Sequence, residues 1–322
     1  MNNQPQYLEL IKTGEIDERI NKLFNILQDC VLCSRKCHIN RIKGERGYCQ
    51  AGRELEISSF GPHFGEEEPL VGSQSLVISY LGRVKPVGGS GTIFLTHCSL
   101  RCSYCQNYVI SHLGEGKTVS PEKFAQIMLE LQNAGCYNIN LVTPTHYIPQ
   151  LIKSLKIAEK IGLNLPVVYN CGGYEEVTTI KLLDGLIDIY MPDIKYSSQE
   201  SAQKYSDAPD YFERCKEAVK EMHRQVGDLK LNDKGIAFQG LLIRHLVLPE
   251  NLAGSFEVLK FIASEISINS YVNIMDQYRP MFRASQYREI NRLPTRQEIG
   301  SVMELAKNLG LTRFRRDYFP NT

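Results

Sequence analysis

The 322-residue sequence contains no tryptophan, an absence that excludes no class of protein. Other shortages exclude more. The formal charge is only +1, so no basic field draws the chain to nucleic acid or to an anionic membrane, and neither is expected as a partner. No apolar run reaches the roughly 18 residues that read as a membrane-spanning helix. The opening residues, Met1 to Tyr7, carry no basic segment followed by an apolar one, so no signal peptide is expected. No internal repeat or low-complexity segment stands out. A cytoplasmic location is the expectation that follows.

What is present is an ordinary globular composition, 43% hydrophobic and 23% charged. The length suits one large domain plus an appendage. Ten cysteines in so long a chain do not read as a secreted disulfide scaffold. Cys30, Cys33, Cys37 and Cys49 form one local group and Cys98, Cys102 and Cys105 another, a clustering that reads as metal binding.

The second group is the more informative. A β-type run from Gly91 leads directly into Cys98-x3-Cys102-x2-Cys105. A cubane iron–sulfur cluster has four irons, and thiolates are their usual outside ligands. Three thiolates leave one iron open to bind and activate a small molecule. The competing readings are three buried cysteines or a zinc site, but structural zinc wants four ligands in two close pairs. In the first group, four cysteines can complete a four-thiolate site. That site reads as an auxiliary iron–sulfur cluster or as structural zinc. Its basic segment, Asn40 to Tyr48, has little core of its own, so a metal is a plausible organiser. Cys136, Cys171 and Cys215 are isolated and read as small buried hydrophobes, with Cys171 the exception to watch because it lies in a ligand-side strand-end loop.

Helical spacing of Leu8, Ile11, Ile16, Ile20, Leu23 and Ile26 predicts one or two helices over 7–28. Residues 54–90 read as β-structure and loops. From residue 91, strands at 91–96, 138–143, 166–170, 186–191, 240–247 and 271–276 alternate with helices at 121–134, 147–161, 175–183, 210–226, 252–265 and 296–309. Ser120-Pro121 is a helix start. The expected fold is therefore α/β with a parallel sheet, falling short of the eight units of a closed barrel. The expected division is an N-terminal helical and cysteine-rich extension over 1–90 and the strand–helix domain over 91–322.

Ligands of parallel α/β sheets gather at the carboxyl ends of the strands. Those ends carry the cysteine loop, Thr143, Asn170, Asp193 with Lys195, Arg244, and Gln277. Arg244 and Lys195 suit a carboxylate, and Asp193 and Asn170 suit hydroxyl or amino groups. His146 and His245, as single histidines, read as structural or substrate-side groups rather than metal ligands.

The Cys98-x3-Cys102-x2-Cys105 motif, with Tyr104 before its last cysteine, resembles the signature of the radical S-adenosylmethionine (radical SAM) superfamily. Further stretches resemble its branch related to the pyruvate formate-lyase activating enzyme: 30–41, 65–69, 142–146, 168–174, 188–195 and 273–280. The resemblance implies a partial (β/α)6 TIM-like barrel behind an N-terminal cysteine-rich, metal-binding extension. It implies a 4Fe–4S cluster on Cys98, Cys102 and Cys105 and SAM on its open iron. One electron then cleaves SAM to a 5′-deoxyadenosyl radical that abstracts hydrogen from substrate. Tyr104 matches the aromatic near adenine, Asp193 and Lys195 the Asp-x-Lys element that holds SAM, and Arg244 the arginine of the fifth strand. Where activating enzymes carry Gly-Gly-Glu, this chain reads Thr143-Pro144-Thr145. The implied function is hydrogen abstraction from a protein or peptide, as in glycyl-radical activation, served by a reductant such as flavodoxin or ferredoxin. A small-molecule or cofactor-precursor substrate, and an electron-transfer module without SAM chemistry, are the alternatives.

Overall fold

The computed structural model describes residues 4–72, 75–78 and 84–313. Helices α1 (Tyr7–Thr13) and α2 (Glu15–Ile26) come first. Then follow β1 (Leu55–His63), the short α3 (Glu68–Val71) and the hairpin β2 (Ser75–Ile78) with β3 (Val84–Val87). Strand β4 (Ser90–Leu95), α4 (Tyr108–Ser111) and β5 (Lys117–Val119) frame the second cysteine group. The rest alternates: α5 (Pro121–Asn133), β6 (Ile139–Val142), α6 (Ile148–Lys160), β7 (Val167–Cys171), α7 (Val177–Lys181) and β8 (Ile189–Pro192). Next come α8 (Gln199–Ser206), α9 (Tyr211–Val226), β9 (Lys230–Leu231), β10 (Ala237–Leu246), α10 (Ser255–Phe261), β11 (Tyr271–Met275) and α11 (Arg296–Asn308). The expected β-structure over 54–90 is described except at 73–74 and 79–83, which lie outside the described residues.

Strands β4, β6, β7, β8, β10 and β11 pair in that order, all parallel. The sheet does not close: β1 runs antiparallel along the free side of β4, and β5 pairs with β1. This is the open, six-stranded partial barrel expected of the sequence. Every residue of β7 and β8 is buried, as strands covered on both faces require. Their apolar runs therefore carry no two-residue alternation. The covering helices start where the sequence signals them. Ser120 accepts from the Lys123 N–H ahead of α5, and Thr295 and Glu298 form a reciprocal capping box on α11.

Several segments depart from the expected pattern, the short elements α4, β5 and β9 among them. Helix α8 was not foreseen, because Gln-Glu-Ser-Ala-Gln-Lys-Tyr-Ser lacks an apolar period. It forms because Ser198 caps it and Ala202, Tyr205 and Ser206 find buried places. The expected helix over 252–265 is α10 followed by a wider π turn at 262–266.

One apolar core runs from Tyr7, Ile16 and Leu23 through Leu55 and Ile57 to Leu311. Residues of the 1–90 segment thus pack with those beyond it, and β1 joins the main sheet. Helix α1 is anchored behind the sheet: the Gln6 N–H donates to Asp188 Oδ1 (2.7 Å) and Tyr7 Oη donates to the Leu165 carbonyl (3.1 Å). The segment after α2 turns to the opposite end, where Cys33 pairs with Glu175 beyond β7. Both cysteine groups thereby reach the carboxyl ends of the strands.

A candidate active site at the carboxyl ends of the strands

Strand β4 stops at Leu95, and His97 takes a left-handed conformation (φ 67°) that turns the chain into the cysteine loop. His97 is held by its N–H to the Ile110 carbonyl (2.8 Å) and by Nε2 beside Glu56 Oε2 (3.3 Å). The sulfurs that follow are met by donors. The Leu100 N–H points at Cys98 Sγ (3.4 Å), Ser206 Oγ donates to Cys102 Sγ (3.1 Å), and Ser111 Oγ lies 3.1 Å from Cys105 Sγ. Burial pushes the Cys98 and Cys105 thiols up, and the neighbouring Cys102 pushes them further. Lys195 pulls both down. The three sulfurs and this ammonium therefore share one electrostatic neighbourhood.

Cys102 and Cys105 line a cavity of about 250 Å³ with Tyr104, Asp193, Lys195, Arg244 and Gln277. Its charged wall comes from two neighbouring strand ends and is braced by a third. Arg244 Nε donates to Asp193 Oδ1 (2.7 Å) and Nη2 to Asn170 Oδ1 (2.7 Å), while Lys195 Nζ donates to Asp193 Oδ2 (2.6 Å). Burial pushes the Asp193 carboxyl up, but Arg244 and Lys195 outweigh it and hold the group below the usual carboxylate range. Burial likewise pushes Lys195 down, and Asp193 carries it above the usual lysine range. All three stay charged at neutral pH. Gly173 makes the arrangement possible. It sits at φ +78°, and a Cβ there would lie 2.2 Å from the Asp193 carbonyl oxygen.

Most of the residues expected at the strand ends thus meet in one cavity. Asn170 stands behind it, touching Arg244. Thr143 does not line it; its N–H donates to the Asn170 carbonyl (2.8 Å) from a left-handed backbone (φ 61°). Tyr104 is buried among tyrosines: Tyr196 donates to its hydroxyl (2.6 Å) and lies 2.9 Å from Ser206 Oγ. Sequence reasoning missed Ser206 and Ser111, because no short motif links them to the sulfurs. It also missed Glu66 and Glu67, whose carboxylates stand 4.0 and 3.8 Å from Arg244 Nη1. His245 is structural, with its two ring nitrogens 2.7 Å from the Ile194 carbonyl and 2.8 Å from Ser255 Oγ. Cys171 is buried on β7 and does not line the cavity. Among the described residues, no three His, Cys, Asp or Glu side chains are arranged around a single metal ion, and no helix is long and apolar enough to cross a membrane.

The fold is thus an open parallel barrel with a three-cysteine loop following its first parallel strand. The profile of the radical SAM superfamily matches residues 92–233. An uncharacterised protein of Methanocaldococcus jannaschii is 31% identical over 314 residues, covering 94% of this chain and 82% of that one. The crystal structure of a radical SAM methyltransferase from Sphaerobacter thermophilus is similar at a TM-score of 0.46 and 12% identity, over 80% of this chain and 78% of that one. Residues 92–233 of the chain form a radical SAM superfamily domain. That domain implies an enzyme that carries a 4Fe–4S cluster and uses SAM.

Proposed function

We propose that Cys98, Cys102 and Cys105 hold the 4Fe–4S cluster and that the cavity beside them takes SAM, for hydrogen abstraction from a protein or peptide. The donor set fits both groups. Three cysteines suit three irons of a cubane, and the hydrogen-bond donors at their sulfurs suit thiolates. Lys195 and Asp193 present a cation and an anion side by side, the complement of the carboxylate and ammonium of an amino acid. Asn170 and Arg244 hold that pair in place. When bound, the cluster supplies one electron to SAM, giving methionine and the 5′-deoxyadenosyl radical. The chain's own part is to orient the methionine end, to keep Asp193 ionised and to keep water from the buried wall.

The single observation that carries this reading is the convergence of the cysteine loop with Asp193, Lys195 and Arg244 on one cavity. The choice of a protein or peptide substrate rests on the sequence resemblance set out above. Activation of a glycyl-radical enzyme is the form of this chemistry that the sequence resemblance favours. A reduced cluster suits the cytoplasm and an electron donor of the flavodoxin or ferredoxin type.

The test is anaerobic reconstitution with iron and sulfide, followed by dithionite and SAM. 5′-Deoxyadenosine is the expected product, and its absence from a fully reconstituted protein overturns the enzyme reading. Anaerobic cell extract is then split into a macromolecular fraction and a low-mass filtrate. The first is expected to accelerate 5′-deoxyadenosine formation and to gain an oxygen-sensitive radical signal. Acceleration by the filtrate alone overturns the protein-substrate reading.

A further inference from the structure

The mechanism above leaves the first cysteine group unused. Cys30, Cys33, Cys37 and Cys49 are separated by up to 11 residues, yet all four line one small closed cavity, together with Arg41, Gly47 and His146. The chain is bent to put them there. Lys36 and His38 on either side of Cys37, and Gln50 after Cys49, all have positive φ (42°, 53° and 63°), a conformation that non-glycine residues adopt at a cost and that collects at ligand sites. His97 does the same beside Cys98. Sulfur is also treated alike in the two groups: the Tyr48 N–H points at Cys37 Sγ at 3.4 Å, as the Leu100 N–H does at Cys98 Sγ. At Gly47 a Cβ would stand 2.9 Å from Cys37 Sγ, so a side chain there would intrude on the sulfur.

Two polar groups of the cavity wall lack the partners their burial demands. Arg41 is 1% exposed and permanently charged. Its guanidinium reaches only carbonyls, those of Gly52 (3.1 Å from Nε) and His146 (2.7 Å from Nη1), and no ion pair to a carboxylate is found among the described residues. A buried cation without a counter-charge is costly. His146 is also 1% exposed; its Nε2 is 2.7 Å from the Thr96 carbonyl, and its Nδ1 has no hydrogen-bond partner. The wall therefore offers four sulfurs, one uncompensated positive charge and one spare polar atom.

We infer that Cys30, Cys33, Cys37 and Cys49, which line one cavity but are not gathered around a single point in this structure, draw together on binding to form a second, four-thiolate metal centre, with Arg41 as its buried counter-ion and His146 as a polar contact. Four thiolates around a zinc ion, or around an oxidised cubane core, leave about two negative charges; this is the counter-charge that Arg41 lacks. Zinc and iron–sulfur share this ligand chemistry. The centre also explains how a segment with little apolar core holds three strained residues. It is mechanically tied to the first cysteine loop, because Arg35 Nε donates to the Ser99 carbonyl (2.9 Å) and His146 reaches Thr96.

The full chain carrying Cys98→Ala, Cys102→Ala and Cys105→Ala isolates this site, and its result does not depend on SAM cleavage. After anaerobic purification it is expected to keep about four irons with equal sulfide, or about one zinc, per chain. Either result supports the centre and names its metal. Adding Cys33→Ala or Cys49→Ala should remove that metal. Arg41→Gln should speed its loss to a chelator by about tenfold or more, and Arg41→Lys should restore much of the retention. A triple variant with no metal, metal that survives Cys49→Ala, or disulfides among the four thiols overturns the inference. Should the triple variant fail to fold, metal counted on the unaltered chain decides: a content matching one cubane alone overturns the second centre.

Discussion

Arg244 on β10 and Asp193 beyond β8 meet at 2.7 Å, side chain to side chain, across neighbouring parallel strands. Their backbones are also bridged. The pair is largely buried, at 16% and 13% side-chain exposure, and it shares its carboxylate with Lys195. Such a group is worth more as a set than as separate ions, because removing one partner leaves buried charge behind.

Asp193→Asn is expected to leave Arg244 and Lys195 as two facing cations. The loss should be about 3–5 kcal/mol of stability, read by denaturant unfolding, with SAM binding weakened at least about tenfold. Unchanged SAM binding in a folded variant would remove Asp193 from the proposed cavity chemistry.

Ser206→Ala deletes the hydroxyl 3.1 Å from Cys102 Sγ. Hydrogen bonds to cluster sulfurs help set reduction potential, and they favour the more negative, reduced form. The reconstituted variant should therefore show a more negative potential in an electron paramagnetic resonance redox titration, with unchanged iron content. A potential equal to that of the parent chain would refute the role assigned to Ser206.

Asp188 predicts a pH dependence away from the candidate site. Burial raises its carboxyl from the usual 3.8 to about 7, against the Gln6 and Val167 N–H groups that pull it down. The folded state thus holds this proton where the unfolded chain has released it. Stability contributed by the protonated form is complete below about pH 4 and is lost as pH rises to about 7, by up to about 4 kcal/mol. Melting temperature should fall across that window, and Asp188→Asn should flatten this part of the fall. A variant with the parent's full pH slope would contradict the assignment.

Gly173→Ala places a methyl group 2.2 Å from the Asp193 carbonyl at a backbone angle that disfavours alanine. The expected cost is about 2–4 kcal/mol, together with loss of SAM binding, because the strand end that carries Asp193 must move. Denaturant unfolding and equilibrium dialysis with SAM measure the two effects. A loss below about 0.5 kcal/mol would show that the contact relaxes freely.

Much of the fold was legible one residue at a time. The apolar runs at 139–142, 167–171 and 189–192 are short, buried and separated by helical periods, and that pattern alone calls for a parallel sheet. Ser120-Pro121 and Thr295 with Glu298 mark helix starts because capping is a local event. Helix α8 was not legible, since its stability comes from the places that Ala202 and Tyr205 find in the core.

The sequence by itself marked the cysteine loop as a candidate ligand set, because Cys98, Cys102 and Cys105 lie within eight residues and their spacing needs no tertiary contact to be read. It also marked the strand ends as polar. Only the tertiary structure decided which of those ends share a wall: Asp193, Lys195 and Arg244 line it, Asn170 braces Arg244 from behind, and Thr143 is left outside the cavity. It alone brought Ser206 to Cys102 across 104 residues, and Arg41 and His146 to the four earlier cysteines. Spacing records what neighbours along the chain can do. Burial, which leaves Arg41 charged and without a carboxylate partner among the described residues, is a property of the folded whole.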